Sequence, residues 1–305
     1  MRKRALVTMG EGYGNVVMAT PVVEAMHRFG YETDVLVESH HRDAATLLTG
    51  WEAVASLFTT RRTFLRHGIR PYDAVVRTLW SRSGPLRCGP EFSPDPLPRD
   101  RHHEMMINMT AARAAGYRGS IPPPHVEGDT PFWPLPSRYA VIAPGYGGKR
   151  RSDWTRKHWP HWRRLCLALH RDFGLDVVAL GAEADELRWM QRAQFPWLRS
   201  LFGRTSIRGA VGILRRAELC VAVDNGLAHI AGALGTPTVA LFGATSEIKN
   251  RPLGPRVRLV TADLDCRPCQ MTDRWDACKD WRCMQRIGTG PVMETIREME
   301  VLPCA

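Results

Sequence analysis

No run of apolar residues in this chain approaches the roughly 20 needed to cross a bilayer as a helix. A secretory leader is missing too. Met1-Arg-Lys-Arg-Ala-Leu-Val-Thr is basic, but its apolar stretch breaks at Met9-Gly-Glu-Gly and no small-residue cleavage site follows. These two absences set the expectation of a cytoplasmic protein. Internal repeats and low-complexity tracts are absent as well, which excludes repeat architectures. Lysine is missing where the chain is most basic: between Arg61 and Arg101, nine Arg face four acidic residues and no Lys. The formal charge is +11 and the pI about 9.6. Such a surface attracts nucleic acid, anionic lipid or a phosphorylated substrate, and a plainly solvated basic face is the simpler alternative. No RNA- or DNA-binding motif accompanies the charge, so nucleic acid is not an expected partner.

What is present reads as a soluble globular α/β chain. At 305 residues, 44% apolar and 24% charged, it can bury one large or two ordinary domains. The first half opens with a strand at Arg4–Thr8, a glycine-rich turn and a helical pattern from Val16 to Phe29, which Pro21 must kink or start. Strands follow at Tyr31–Glu38 and Tyr72–Arg77, a loop at Ser81–Arg101 and a helix at Glu104–Ala115. Pro122, Pro123, Pro124, Pro131, Pro134 and Pro136 forbid regular structure and mark a linker. Beyond it run strand Tyr139–Pro144, helix His158–Phe173, strand Asp176–Gly181, helix Ala184–Gln194 and helix Ser206–Ala217. Alternating strands and helices give parallel sheets joined by right-handed crossovers.

The most informative stretch is Val221-Ala-Val-Asp-Asn-Gly-Leu-Ala-His-Ile-Ala-Gly-Ala-Leu-Gly-Thr-Pro-Thr-Val-Ala-Leu-Phe-Gly243. An apolar strand ends at Asp224, Asn225 can cap a short helix, and Gly235 with Pro237 stops that helix before a second apolar strand. Such a turn presents polar side chains and free N–H groups at the carboxyl end of a buried parallel strand. Open α/β sheets bind ligands there, and a helix N-terminus favours an anion such as a diphosphate. Asp224 itself, a carboxylate ending a buried strand, needs a partner or a ligand.

This segment closely resembles the signature of glycosyltransferase family 9, the lipopolysaccharide heptosyltransferase type, except that Asn225 stands where the family usually has Ser or Thr. The resemblance implies a GT-B fold, two Rossmann-like α/β/α domains facing an interdomain cleft. The expected division is residues 1–130 for the acceptor, residues 131–290 for the nucleotide-sugar donor, and a terminal helix in 291–305 that packs back onto the first domain. It further implies that Gly226, Leu227 and His229 join Asp224 and Asn225 at the donor. The segment Ala143-Pro-Gly-Tyr-Gly-Gly…Lys157-His-Trp-Pro160 resembles the family's phosphate-proximal loop. Carried over, Lys157 would neutralise charge building on the leaving diphosphate, with Gly145, Gly147 and Gly148 letting backbone approach the ligand. Glu183 falls where family members hold the ribose, or is a helix-start carboxylate.

The first turn, Gly10-Glu-Gly-Tyr-Gly-Asn15, lacks the third glycine of a dinucleotide fingerprint, although Glu38 supplies an acidic residue. It is similar instead to the family loop Gly-x-Gly-Asp, whose catalytic Asp falls on Asn15. An amide cannot take a hydroxyl proton at neutral pH as a carboxylate can. Three readings stay open: Glu11 is the base, the acceptor carries its own proton sink such as a phosphate, or Asn15 merely orients the hydroxyl in a slow or inactive protein.

Cys166 and Cys220 fit buried apolar positions, but Cys266-Arg-Pro-Cys269, Cys278 and Cys283 cluster at metal-site spacing. Many family members carry a similar element. A structural zinc or iron and four reduced thiols are the two readings, and the chemistry of this fold class requires no metal cofactor.

The function implied is an inverting glycosyltransferase moving a sugar, heptose by resemblance, from a nucleotide-diphosphate sugar such as ADP-heptose. The acceptor would be a lipopolysaccharide core or another anionic glycan or glycolipid, met at the inner face of the cytoplasmic membrane through peripheral association. Asn15 motivates the alternative, a catalytically impaired nucleotide-sugar or glycan-binding relative.

Overall fold

The computed structural model describes residues 2–10, 12–38, 41, 43–82, 84–146, 152–192 and 195–301. The chain forms two compact units, residues 1–128 and 129–305. No helix among the described residues is long and apolar enough to cross a membrane.

In the first unit β1 (Arg4–Gly10) lies at the centre of a five-stranded sheet. Around it are β2 (Glu32–Glu38), β3 (Ser56–Phe58), β4 (Ala74–Arg77) and the short β5 (Glu91–Phe92), in the order β3-β2-β1-β4-β5 and all parallel. The run Ala5-Leu6-Val7 is fully buried because helices cover both faces of a parallel sheet. Helix α1 (Tyr13–Arg28) starts three residues before the expected Val16 and runs straight through Pro21, which neither starts nor ends it. Proline removes the donor that would reach the Val17 carbonyl. The Thr20 hydroxyl takes over, donating to Val17 O at 2.7 Å while accepting from His125 N at 2.9 Å. Helix α3 (Glu104–Ala114) packs beside α1. Between β3 and β4, α2 (Arg61–His67) is closed by a Thr60/Thr63 capping box. Part of the arginine excess is already committed here: Arg70 pairs with fully buried Asp34, and Arg77 with Glu91 at 3.0 Å.

The second unit holds six parallel strands in the order β11-β10-β9-β6-β7-β8. They are β6 (Tyr139–Ala143), β7 (Asp176–Ala179), β8 (Leu198–Ser200), β9 (Leu219–Val223), β10 (Thr238–Phe242) and β11 (Val257–Thr261). Counted within the unit this is 3-2-1-4-5-6, the dinucleotide-fold order, with its switch point between β6 and β9. Helices α4 (Trp162–Phe173), α5 (Ile207–Arg216) and α6 (Gly226–Ala233) flank the sheet. Helix α4 begins four residues later than expected because Pro160 disfavours helix at its predecessor.

One other expectation fails. Residues 184–192 form only single turns at Glu183–Asp185 and Met190–Arg192, and residues 193 and 194 lie outside the described set. The Asp185 carboxylate accepts the Ala182 N–H at 3.0 Å, a local bond that competes with helix propagation. Three short helices follow β10: α7 (Glu247–Asn250), α8 (Arg274–Ala277) and α9 (Arg282–Gln285). The last helix, α10 (Thr289–Glu298), then belongs to the second unit: Val292, Met293 and Ile296 are buried against α4, β10 and β11. Its apolar stripe completes that core.

Candidate active site

In the second unit the carboxyl ends of β6, β7, β9 and β10 deliver polar groups to one edge of the sheet. Asn225 caps α6: its Oδ1 accepts the Ala228 N–H at 3.0 Å. The same side chain donates through Nδ2 to Ala143 O at 2.9 Å and Gly145 O at 2.7 Å. One amide therefore fastens the turn after β9 to the turn after β6 across the switch point. A Ser or Thr could supply the cap but not both donors. The first-turn N–H groups of Gly226 and Leu227 have no intrahelical partner, as at any helix start, and both residues are only half-buried.

Asp224 is buried and bound to Lys157, whose Nζ lies 2.9 Å from Oδ2 and 2.8 Å from the Asp224 carbonyl. Burial opposes ionisation of this carboxyl. The Lys157 and His229 charges and a hydrogen bond from buried Thr245 outweigh it, holding the group below the usual carboxylate range. His229 is itself buried on α6, one turn from Asn225. Lys157 comes from a turn at Ser152–Lys157, and its ammonium sits 4.2 Å from the Trp154 ring centre. The expected donor-side residues Lys157, Asp224, Asn225, Gly226, Leu227 and His229 thus meet at one edge. Gly145 joins them, while Gly147 and Gly148 lie outside the described residues.

Glu183 is exposed, packed against Gly203, whose positive φ of 67° lets the turn close there. Asp185, two residues on, packs against the turn after β6. A Cβ on Gly145 would collide with the Asp185 carboxylate, and Asp185 also raises the Tyr146 pKa beyond the effect of that residue's burial. Burial pushes the Asp185 carboxyl up, against the Ala182 N–H that lowers it. Asp185 and Thr245 were not anticipated. Their signal was weak: a carboxylate two residues after Glu183, and a Thr two residues beyond the signature's last glycine.

In the first unit Glu11 lies outside the described residues. Asn15, in the first turn of α1, donates from Nδ2 to Glu104 Oε2 at 3.0 Å. The Trp80 indole donates to the same oxygen at 2.9 Å, and Arg99 stacks 5.3 Å over the Trp80 ring. Glu104, the first residue of α3, is 1% exposed. A carboxylate therefore stands directly behind Asn15, contributed by a helix 89 residues away in sequence.

The cysteine loop packs on the end of β10. Cys269 N and Gln270 N both donate to Ala244 O, and a Cβ on Gly243 would meet Cys283 Sγ at 3.0 Å. Burial first, then nearby Cys278 and Cys266, pushes the Cys269 thiol up, and burial first, then Cys269, Cys278 and Cys266, pushes Cys283 up to about 11. An all-sulfur donor set at this proximity suits zinc or iron. Among the described residues no three His, Cys, Asp or Glu side chains stand in ion-holding geometry as they are placed. Three of the thiols are turned instead toward Ala244 O, Asp280 Oδ1 and Trp281 O. Trp275 of this loop meets Trp154 edge-on at 5.7 Å and lies 4.8 Å under Arg156, tying the loop to the segment that carries Lys157.

Comparison with known proteins accords with this geometry. Residues 127–278 match the sequence model of Glycosyltransferase family 9 (heptosyltransferase). Lipopolysaccharide heptosyltransferase 1 of Pseudomonas aeruginosa is 33% identical over 120 residues, which is 39% of this chain and 34% of that protein. The alignment thus spans about a third of the relative's length. Among solved structures, the family 9 glycosyl transferase from Veillonella parvula superposes with a TM-score of 0.77 at 15% identity, covering 97% of each chain. The dodecameric iron-containing heptosyltransferase TibC, solved in complex with ADP-D-beta-D-heptose, gives 0.65 at 16% identity over 98% of this chain and 77% of that one. TibC comes from enterotoxigenic E. coli H10407. The two α/β units are those of the GT-B fold. With signature, fold and family match in agreement, this chain belongs to glycosyltransferase family 9.

Proposed function

We propose that the protein is an inverting glycosyltransferase that takes a sugar, heptose, from ADP-heptose and delivers it to a lipopolysaccharide core or a related anionic glycan or glycolipid. One observation carries the reading: Lys157, held over Asp224, sits beside the open N-terminus of α6 at the sheet's switch point. Cation and N–H groups together suit a diphosphate. The same groups can take up the negative charge that develops as the bond from the anomeric carbon to the diphosphate breaks. Asp185, pressed on Gly145, and exposed Glu183 are the carboxylates within reach of nucleoside hydroxyls. Attack from the face opposite the diphosphate inverts the anomeric centre. The arginine excess between Arg61 and Arg101 suits a phosphorylated acceptor, and a peripheral position at the inner face of the cytoplasmic membrane.

The test is calorimetry with ADP and ADP-heptose, followed by ADP release with de-heptosylated lipopolysaccharide as acceptor. Micromolar-range ADP binding that Lys157→Ala abolishes supports the reading. A wild-type protein that binds no nucleoside diphosphate refutes it. A second reading, a binding relative without turnover, draws on the neutral amide at position 15 and would show ADP-heptose uptake with no ADP release.

We also propose that Cys266, Cys269, Cys278 and Cys283 hold a structural zinc or iron that braces the loop beside the donor site. Bound there, the ion would supply cross-linking only. Elemental analysis of the purified protein checks this, with Cys269→Ser expected to lose the metal. Metal-free wild-type protein, purified without chelator, would refute it.

A further inference from the structure

Asn15 is the position where a carboxylate base is expected and an amide stands. The amide is not isolated. Its nitrogen lies 3.0 Å from Glu104 Oε2, an oxygen that also accepts the Trp80 indole N–H at 2.9 Å. A carboxylate has no proton to give, so the end of Asn15 that faces it must be the NH2. Oδ1 accordingly turns away from Glu104 toward Gly12, 3.7 Å from where a Cβ on that glycine would stand. Asn15 is half-buried whereas Glu104 is 1% exposed, so a substrate can reach the amide but not the carboxylate behind it. Glu104 is the first residue of α3.

We propose that Glu104 is the proton sink for the acceptor hydroxyl, reached through the Asn15 side chain. The proposal rests on the glycosyl-transfer reading and assigns it a base among the described residues. As the acceptor oxygen attacks the anomeric carbon, its proton passes to Asn15 Oδ1 while one proton of Asn15 Nδ2 passes to Glu104 Oε2. The electron pair of the O–H bond becomes the new C–O bond. The pair of the breaking C–O bond leaves with the nucleoside diphosphate. Asn15 is left as the imidic acid and Glu104 as the neutral acid. The return of a proton from Glu104 to the Asn15 nitrogen, and loss of the imidic proton from Oδ1 to water or the departing diphosphate, restore both groups. Glu104 acts through Asn15 and never touches the substrate. The Trp80 N–H on the same oxygen holds the carboxylate in line.

The experiment measures ADP release from ADP-heptose across pH, with de-heptosylated lipopolysaccharide as acceptor, beside ADP affinity by calorimetry. Glu104→Gln keeps a hydrogen-bond acceptor for Nδ2 but cannot take a proton. It should lower kcat by roughly 100-fold or more and remove the acid limb of the rate profile. KM for ADP-heptose and ADP affinity should stay within about twofold of wild type. Asn15→Ala cuts the relay at its outer end and should lose as much, with the double variant losing no more. If Glu104→Gln turns over within about threefold of wild type with its acid limb intact, the relay is overturned while glycosyl transfer stands. Should Glu104→Gln fail to fold, Asn15→Ala takes its place: undiminished kcat in that variant overturns the relay. Absence of ADP binding by the wild type overturns glycosyl transfer, and the relay with it.

Discussion

At the switch point of the first unit, between β1 and β4, an uncharged amide is backed by a buried carboxylate; at that of the second, between β6 and β9, a buried ion pair lies beside an open helix start. The backbone plan is shared, with the central strand flanked by the second and fourth strands of its unit in both sheets. What differs is the sign of the electrostatics. Lys157 and the α6 N-terminus favour anions, whereas Asn15 and Glu104 offer a hydrogen-bond acceptor with negative charge behind it. Asparagine serves both places for different reasons. Asn225 spends its two N–H groups on backbone carbonyls and its oxygen on a helix cap. Asn15 spends an N–H on a carboxylate and turns its oxygen toward Gly12. A parallel sheet thus fixes where ligands can bind, while side chains arriving from distant elements fix what can bind there.

The contrast predicts its sharpest break at Lys157. Both members of its pair are largely buried, with side chains 12% and 7% exposed for Lys157 and Asp224. Lys157→Met should therefore cost about 3–5 kcal/mol by leaving an uncompensated buried charge. Urea unfolding at neutral pH measures it, and a loss below about 1 kcal/mol would mean that the pair is a surface-like contact. Asn225→Ser comes next. It retains a helix cap but forfeits the two bonds to Ala143 O and Gly145 O, a loss of about 1–3 kcal/mol. If its unfolding midpoint matches wild type, the amide does not fasten the two turns.

Within the first unit, Thr20→Val removes the donor to Val17 O and the acceptor of His125 N, and should cost about 1–2 kcal/mol. Thermal melting of that variant checks whether the hydroxyl compensates for Pro21. The last contrast lies in the pH dependence of Asp224. Its folded pKa lies below the unfolded value of about 4, so the folded state holds fewer protons there. Its contribution is complete above the ordinary carboxylate range and is lost as pH falls through and below it. Urea midpoints of wild type minus Asp224→Asn, taken from neutral to acid pH, should converge as pH drops. A constant difference would contradict the assignment.

Much of the donor side was legible because its residues lie in one contiguous segment. Asp224 ends a strand, Asn225 caps a helix, and Gly235 with Pro237 ends it, all by local rules. Lys157 was legible only as part of a motif, since a lone lysine before a helix carries no signal of its partner. That Asp185 packs on Gly145 while Glu183 packs on Gly203 is not legible in the sequence, because two carboxylates in one tight turn differ only in the direction the turn gives them. Pro21 misled in the other direction, as the hydroxyl one residue earlier supplies the hydrogen bond that proline withholds. The Cys spacing points to a metal site, and spacing along a chain does not record that Cys269, Cys278 and Cys283 turn toward Ala244 O, Asp280 Oδ1 and Trp281 O.

By itself the sequence determined the class of fold, the position of the anion-favouring turn and the family signature. Each of these is encoded in apolar periodicity, capping residues and glycine placement within a few tens of residues. Only the tertiary structure decided that Asn225 joins two turns, that Asp224 is neutralised by Lys157, and that Asn15 is backed by Glu104. Those pairs lie 67 to 89 residues apart for Lys157–Asp224 and Asn15–Glu104, with the Asn225 bonds at 80 and 82. Contacts of that range form when a parallel sheet brings separate strand ends and helix starts to one edge, and no local propensity records them.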